Sequence, residues 1–254
     1  MHHTTREARL AAALTEAADT LTDGFDTADH LQRLSDHCVE LLSARAAGVM
    51  LIAGGRAVSL AGSSRREDVA IDLLEAQSGG GPCLDSYGSG RPVPPVSVRV
   101  AHAEARWPVF TERALAHGIA TTYAVPLRRR ETLLGALNVF VPLGGGAGDG
   151  ELPLAQALAD AAALGLQNHR AYVQYRTLAG QLQEALSSRV RVEQAKGMLA
   201  ERWDVATDDA FATLRRYARR RRLPLDRVAR EVLEGTADDT ELRREIGEPS
   251  DGPA

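Results

Sequence analysis

The chain has 254 residues and 44% apolar composition, enough for one large or two small domains with a buried core. No run approaches the roughly 20 uninterrupted apolar residues of a spanning helix, and MHHTTREARLAAALTEAAD lacks the hydrophobic core and cleavage site of a secretory signal. A cytoplasmic protein with no membrane partner is expected. Net charge is −4, which by itself argues against nucleic acid, and two cysteines, Cys38 and Cys83, permit at most one disulfide, free thiols being the default in a reducing compartment.

Residues 5–22 and 28–44 carry the spacing of amphipathic helices, with Leu31, Leu34, Cys38, Leu41 and Leu42 on one face of the second. VMLIA (49–53), GG and RAVSLAG (56–62) predict strand, tight turn and strand. A helix is expected over 67–77, followed by a long glycine and proline loop, SGGGPCLDSYGSGRPVPPV. IATTYAVPLR (119–128) and LLGALNVFV (133–141) predict a second hairpin around RRE. Helices beside consecutive hairpins indicate an α+β domain on an antiparallel sheet.

GGGAGDG (144–150) reads as a flexible boundary. Beyond it Leu164, Asn168, Ala171, Tyr175, Leu178, Leu182 and Ala185 recur at steps of four and three, close to a heptad seam, and Leu186 and Val190 continue its edge. The pattern suits two paired helices, hence a homodimer, or one helix packed on its own domain. Thr207 is read as an N-cap, with Asp208 and Asp209 at the positive helix end and Ala210, Phe211, Leu214 and Ala218 as a buried stripe. Leu223-Pro224 ends that helix. Leu225, Val228, Ala229, Val232 and Leu233 form the apolar face of the next, which stops at Gly235. Such short helices require one another, so a three-helix bundle is expected, with 236–254 disordered.

The charge is unevenly spread. Residues 186–235 hold 12 basic and 8 acidic side chains, net +4, and RRYARRRR (215–222) has six arginines in eight positions. Lys196, in RVRVEQAKGMLAERW, is the single lysine beside 29 arginines. An arginine-rich bundle suits RNA, DNA or an acidic protein. AKGMLAERW (195–203), DDAFATLRRYA (208–218) and LDRVAREV (225–232), in this order, resemble the ANTAR domain, the RNA-binding module of the AmiR and NasR antitermination regulators.

That resemblance implies a dimer whose two modules each grip one of two adjacent RNA hairpin loops, stabilising an antiterminator. Unpaired loop bases can be splayed and read, whereas a duplex RNA groove is too deep and narrow. Small Ala195 and Gly197 would admit a ribose-phosphate strand, and Lys196, a compact ammonium on a flexible stem, would follow a curved phosphate path that a planar guanidinium cannot. The alternative is a neutral survivor of codon drift on a solvated face. Arg189, Arg215, Arg216 and Arg219 complete the expected RNA-binding set, with Tyr217 stacking on a base or flanking the core. Relatives commonly carry asparagine and a basic residue before the last leucine, where this chain has Arg222 and Pro224, so its loop preference can differ.

GPCLDSYGSGRPV (81–93), RWPVF (106–110) and GIATTYAVPLRRRETLLGALNVF (118–140) resemble a GAF domain, a sensory fold, in the version that precedes ANTAR in actinobacterial proteins. The expected layout is an N-terminal helix (1–24), a GAF-like sensory domain (25–170), a helical coiled-coil linker (171–188), an ANTAR domain (182–235) whose first helix continues the linker, and an acidic tail. A small-molecule effector in the sensory domain is implied, with Cys83, Trp107 and Tyr123 as candidate pocket residues. The sequence names no cofactor. Cys83 is read either as a thiolate sensor near a helix start or as a small apolar core residue. His30, His37, His102 and His117 lack metal-binding spacing, the glycine run 79–81 lacks the lysine of a phosphate loop, and no catalytic triad assembles. The expectation is therefore a regulator and not an enzyme. A GAF-fold thiol reductase and a DNA-binding regulator stand as alternatives.

Overall fold

The computed structural model describes residues 2–42, 44–64, 68–145 and 150–246, with side chains from residue 6 onward. The chain divides into two compact units, Met1–Val173 and Gln174–Ala254. The division falls inside one continuous helix, α7 (Glu151–Trp203), which unites the expected linker with the helices on either side of it. Of the glycine-rich boundary, residues 146–149 lie outside the described residues.

The first unit is an antiparallel sheet of β1 (Ala46–Ala53), β2 (Arg56–Ser64), β3 (Val93–Ser97), β4 (Ile119–Arg129) and β5 (Thr132–Pro142), ordered β2-β1-β5-β4-β3. The β1–β2 turn is glycine because it must be: Gly54 and Gly55 both have positive φ, 58° and 77°, matching a tight turn to the right-handed strand twist. α1 (His2–Ala18), α2 (Thr27–Leu41) and the first turns of α7 cover one face. α3 (Val69–Glu75), α4 (Pro82–Ser89), α5 (Val98–Ala103) and α6 (Pro108–Ala116) cover the other. Strand alternation divides the side chains: Val49, Tyr123, Val125 and Leu137 enter the first core, Met50, Ala124, Ala136 and Phe140 the second. With both faces covered, β1 and β5 are apolar almost throughout. On α7, a Cβ at Gly165 would overlap the Ala17 carbonyl, and Thr20 donates a 2.7 Å hydrogen bond to the Gly165 carbonyl, so the end of α1 lies directly on the α7 backbone.

Two sequence expectations are corrected here. SGGGPCLDSYGSGRPVPPV is not a loop throughout, since it contains α4 and β3. Pro82 opens α4 with a preset φ, the Gln77 side-chain oxygen accepts from the Cys83 N–H at 2.8 Å, and Gly90 closes the helix at φ 65°. β3 tolerates Pro94 and Pro95 because it is an edge strand. Residues 98–116, given no element in the sequence reading, form α5 and α6.

In the second unit the end of α7, α8 (Thr207–Arg221) and α9 (Leu225–Leu233) enclose a core of Val192, Ala195, Leu199, Trp203, Leu214, Tyr217, Val228, Ala229 and Val232. Two sharp stops fold the chain back. Asp204 and Arg222 take positive φ, 52° and 55°, and the N–H groups of Val205 and Leu223 reach back to the carbonyls of Ala200 (3.1 Å) and Ala218 (2.9 Å). Ala206, not Thr207, occupies the N-cap of α8. Disorder from residue 236 is also corrected. Residues 239–244 form α10 (Asp239–Arg244), capped by Asp238 and anchored by Leu242, 1% exposed in the bundle core. With Leu242 the single apolar residue of the six in α10, the segment offers little periodicity to read. Residues 247–254 lie outside the described residues.

Along α7 the expected seam changes character. Leu164, Asn168 and Ala171 are half-buried in the first unit, whereas Tyr175, Leu178, Leu182, Ala185, Leu186 and Val190 are exposed.

Candidate nucleic-acid interface and sensory clefts

The second unit presents a cationic surface built around one aromatic ring. Phe211 is half-buried, with Lys196 Nζ 5.9 Å and the Arg215 guanidinium carbon 5.7 Å from its ring centre. Lys196 keeps 21% of its side chain exposed and pairs with Glu193 at 3.0 Å. Gly197, exposed beside it, needs no glycine for the fold, because a Cβ there would meet nothing within 4 Å. A half-buried aromatic ring with an ammonium and a guanidinium within 6 Å of its centre suits a stacked base with phosphates held nearby. Helical spacing held the signal for Phe211: the buried stripe Ala210, Leu214, Tyr217 leaves residue 211 on its flank, one turn before Arg215.

The expected RNA-binding residues do not all lie on this surface. Ala195 is fully buried in the bundle core, so no strand can approach its methyl group. Tyr217 is 5% exposed and packs in the same core, with Arg220 and Arg221 guanidinium groups 6.0 and 5.7 Å from its ring, so it cannot stack on a base. Arg216 is half-buried and turned toward the C-terminal segment, donating to the Glu245 carbonyl (Nε, 2.9 Å) and to Thr213 Oγ1 (3.3 Å). Arg189, Arg215 and Arg219 are exposed, and none has an ion-pair partner among the described residues. Arg191, by contrast, is committed to structure. Its 2.6 Å hydrogen bond to Asp226 ties α7 to α9 and holds that carboxyl below the usual carboxylate range.

The three candidate pocket residues are separated by the sheet. Cys83 and Trp107 lie in the core under α3–α6, whereas Tyr123 points to the α1–α2 side, because successive strand residues face opposite ways. Tyr123 is fully buried, its hydroxyl 3.5 Å from Glu151 Oε2, and burial is the first cause that pushes the phenol up. Trp107 donates from Nε1 to Asp85 at 3.1 Å beneath the Arg106 guanidinium, 3.9 Å from its ring. Cys83 is fully buried and burial pushes its thiol up to about 12, which favours the core-residue reading over the thiolate sensor; Cys38 on the other face is likewise pushed up to about 12. The helix start near Cys83 contributes its N–H to Gln77 rather than to the sulfur.

Two clefts among the described residues open on the α3–α6 side. One, of about 460 Å³, is lined mainly by Met50, Ala57, Leu60, Leu74, Gln77 and Leu84. A more open one, of about 520 Å³, borders β3 and presents Asp85, Ser89 and Arg106. Neither is lined by Cys83, Trp107 or Tyr123. Among the described residues no group of three His, Cys, Asp or Glu could hold a metal ion, and no helix is long and apolar enough to cross a membrane.

The chain thus carries a five-stranded sheet covered on both faces and an arginine-rich helical bundle, with α7 running through both units. A GAF domain model matches residues 26–167 and an ANTAR domain model matches residues 180–233, and the chain belongs to the GAF domain family, in the GAF–ANTAR architecture. No curated protein matches it. Similar solved structures include the GAF domain of the cyanobacteriochrome TePixJ (16% identity, 60% of this chain and 96% of that chain, TM-score 0.48). A free methionine-R-sulfoxide reductase from Neisseria meningitidis shares 17% identity over 66% of this chain and 94% of that chain, with TM-score 0.45. The GAF domain of an Acinetobacter phosphoenolpyruvate-protein phosphotransferase shares 11% over 63% and 94%, with TM-score 0.45.

Proposed function

We propose that the chain is a dimeric antitermination regulator whose ANTAR modules bind adjacent RNA hairpin loops under the control of a small molecule sensed by the GAF domain. The observation that carries the reading is the half-exposed Phe211 ring with Lys196 and Arg215 both within 6 Å of its centre. A loop base stacks on Phe211, and its neighbouring phosphates meet Lys196, Arg215 and Arg219. Arg189, about two α7 turns before Lys196, extends the cationic track along the stalk. Single-stranded loops offer such unstacked bases, whereas duplex grooves do not.

The exposed apolar stripe on α7 supports pairing of two chains. It gives two copies of the RNA surface on one stalk, and two linked weak grips become one tight one on an RNA that offers two loops. The apolar cleft at Met50, Leu60, Leu74 and Leu84 is the place for an effector of low polarity. A ligand that prefers one conformation of the first unit shifts the stalk equilibrium and with it the alignment of the two output modules.

The test is titration of the purified chain with paired-hairpin RNA and with duplex DNA across a salt series, using Lys196→Ala, Arg215→Ala and Phe211→Ala. Each cation removed makes the salt slope shallower by about 0.7, the single-strand value per phosphate. Equal affinity for duplex DNA, or three variants that bind RNA like the parent, would overturn the reading.

A further inference from the structure

The six arginines of RRYARRRR are divided by helical geometry. Arg215 and Arg219, four apart on one side of α8, and Arg222 at its left-handed C-cap are exposed and without an ion-pair partner among the described residues. Arg216 and Arg220, four apart on a neighbouring side, together with Arg221, are met by α10 and the residue that follows it. Arg220 Nη1 is 2.8 Å from Glu245 Oε1, Arg221 pairs with Glu241, and the Arg216 guanidinium donates to the Glu245 carbonyl. Glu245 is nearly sealed, its side chain 4% exposed, while that of Arg220 is 51% exposed. At the other end of α10, Asp239 accepts from Trp203 Nε1 at 3.2 Å and pairs with Arg202 at 3.3 Å.

This cover lies outside the ANTAR match, which ends at residue 233. It offers arginines what a phosphate backbone offers: anionic oxygens at helical spacing, plus a carbonyl oxygen. Its hold is also limited, since α10 has six residues and one fully buried apolar anchor, Leu242. A helix this short does not persist apart from its packing.

We propose that the acidic segment 236–246 is a built-in competitor for RNA. It occupies Arg216, Arg220 and Arg221 in the free protein, leaving Lys196, Arg215 and Arg219 for the first encounter, and RNA phosphates displace it when the loop is fully engaged. The chain thereby trades affinity for discrimination: a short or misplaced anion meets only the open side, and only an RNA that reaches both sides can lift α10. The proposal rests on the RNA-binding reading above.

The full chain and its Glu241→Gln/Glu245→Gln variant are titrated with paired-hairpin RNA at several salt concentrations, with Lys196→Ala as reference. The variant is expected to bind roughly tenfold tighter, with a salt slope steeper by about one to two, because freed guanidinium groups reach phosphates. Amide exchange in the unaltered chain gives a second readout that needs no variant: exchange across residues 239–245 quickens when RNA is added. If the parent binds RNA through Lys196 but the variant matches it in affinity and slope, and exchange in α10 is unmoved by RNA, the competitor is overturned and the RNA reading stands. If neither form binds RNA, both fall.

Discussion

Cys38 and Cys83 stand on opposite faces of one five-stranded sheet, each fully buried under a different layer of helices. They cannot meet in a disulfide while the sheet is intact. Burial pushes both thiols up to about 12, so at pH 8 the thiolate fraction is on the order of one in ten thousand. The native chain is therefore expected to take up no maleimide over an hour, and two per chain in guanidinium. Mass spectrometry of the labelled protein checks this, and rapid native labelling at Cys83 would restore a thiol-based function.

His30 makes the stability of the first unit depend on pH. It is 2% exposed, its ring lies tilted against Phe25 with centres 5.2 Å apart, and its Nε2 has no hydrogen-bond partner among the described residues. Burial pulls its pKa below the ordinary histidine value, Arg33 pulls it further in the same direction, and the Ala162 backbone and Glu16 oppose. A lowered folded value means that the unfolded chain binds the proton first, so the contribution is complete above about pH 6.5 and is lost as pH falls through that value. The melting temperature should drop between pH 7 and pH 5, and His30→Phe should flatten that slope. A slope that survives the substitution would assign the pH dependence elsewhere.

Legibility followed how many neighbours a residue's role involves. The two hairpins and the helical bundle could be read because turn glycines and 3.6-residue spacing are local signals. α4 was hidden by its glycines, although Pro82 at its start and Gly90 at its end are the punctuation of a helix. The pocket set failed because its members come from distant segments, and only the strand pairing shows that Tyr123 and Cys83 face apart. Within α8 the expectation is Phe211 in the buried stripe and Tyr217 on a base or flanking the core, and the structure exchanges them, with Phe211 on the half-buried flank. The three-residue step from Leu214 puts Tyr217 in the core.

That exchange separates folding from binding. Tyr217→Ala removes a ring packed among Ala195, Leu214 and Val228 and should cost the bundle about 3 kcal/mol or more, seen as a lower melting temperature of the second unit. Phe211→Ala, on the half-buried flank where the ring packs against the edge of that core, should lower the melting temperature less than Tyr217→Ala does while weakening RNA binding by about 1 to 3 kcal/mol, the value of one stacked base. The opposite assignment of the two effects would return the stacking role to Tyr217.

Tyr175, Leu178, Leu182, Leu186 and Val190 are 72%, 51%, 63%, 60% and 48% exposed on one helix, at steps of three and four. Isolated exposed leucines are ordinary, but five apolar side chains along about 22 Å of a single face form a continuous strip of the kind that helices bury against each other. None of the five belongs to a core of either unit, so replacing them should leave both units folded. Sedimentation at micromolar concentration is expected to give a dimer for the parent and a monomer for Leu178→Asp/Leu182→Asp, with unchanged helical content. The same variant should bind a single hairpin as the parent does and lose about 100-fold on the paired hairpin, because linkage of two sites contributes a factor of that order. A parent that sediments as a monomer at every concentration would remove the two-loop grip and leave each ANTAR module to act alone.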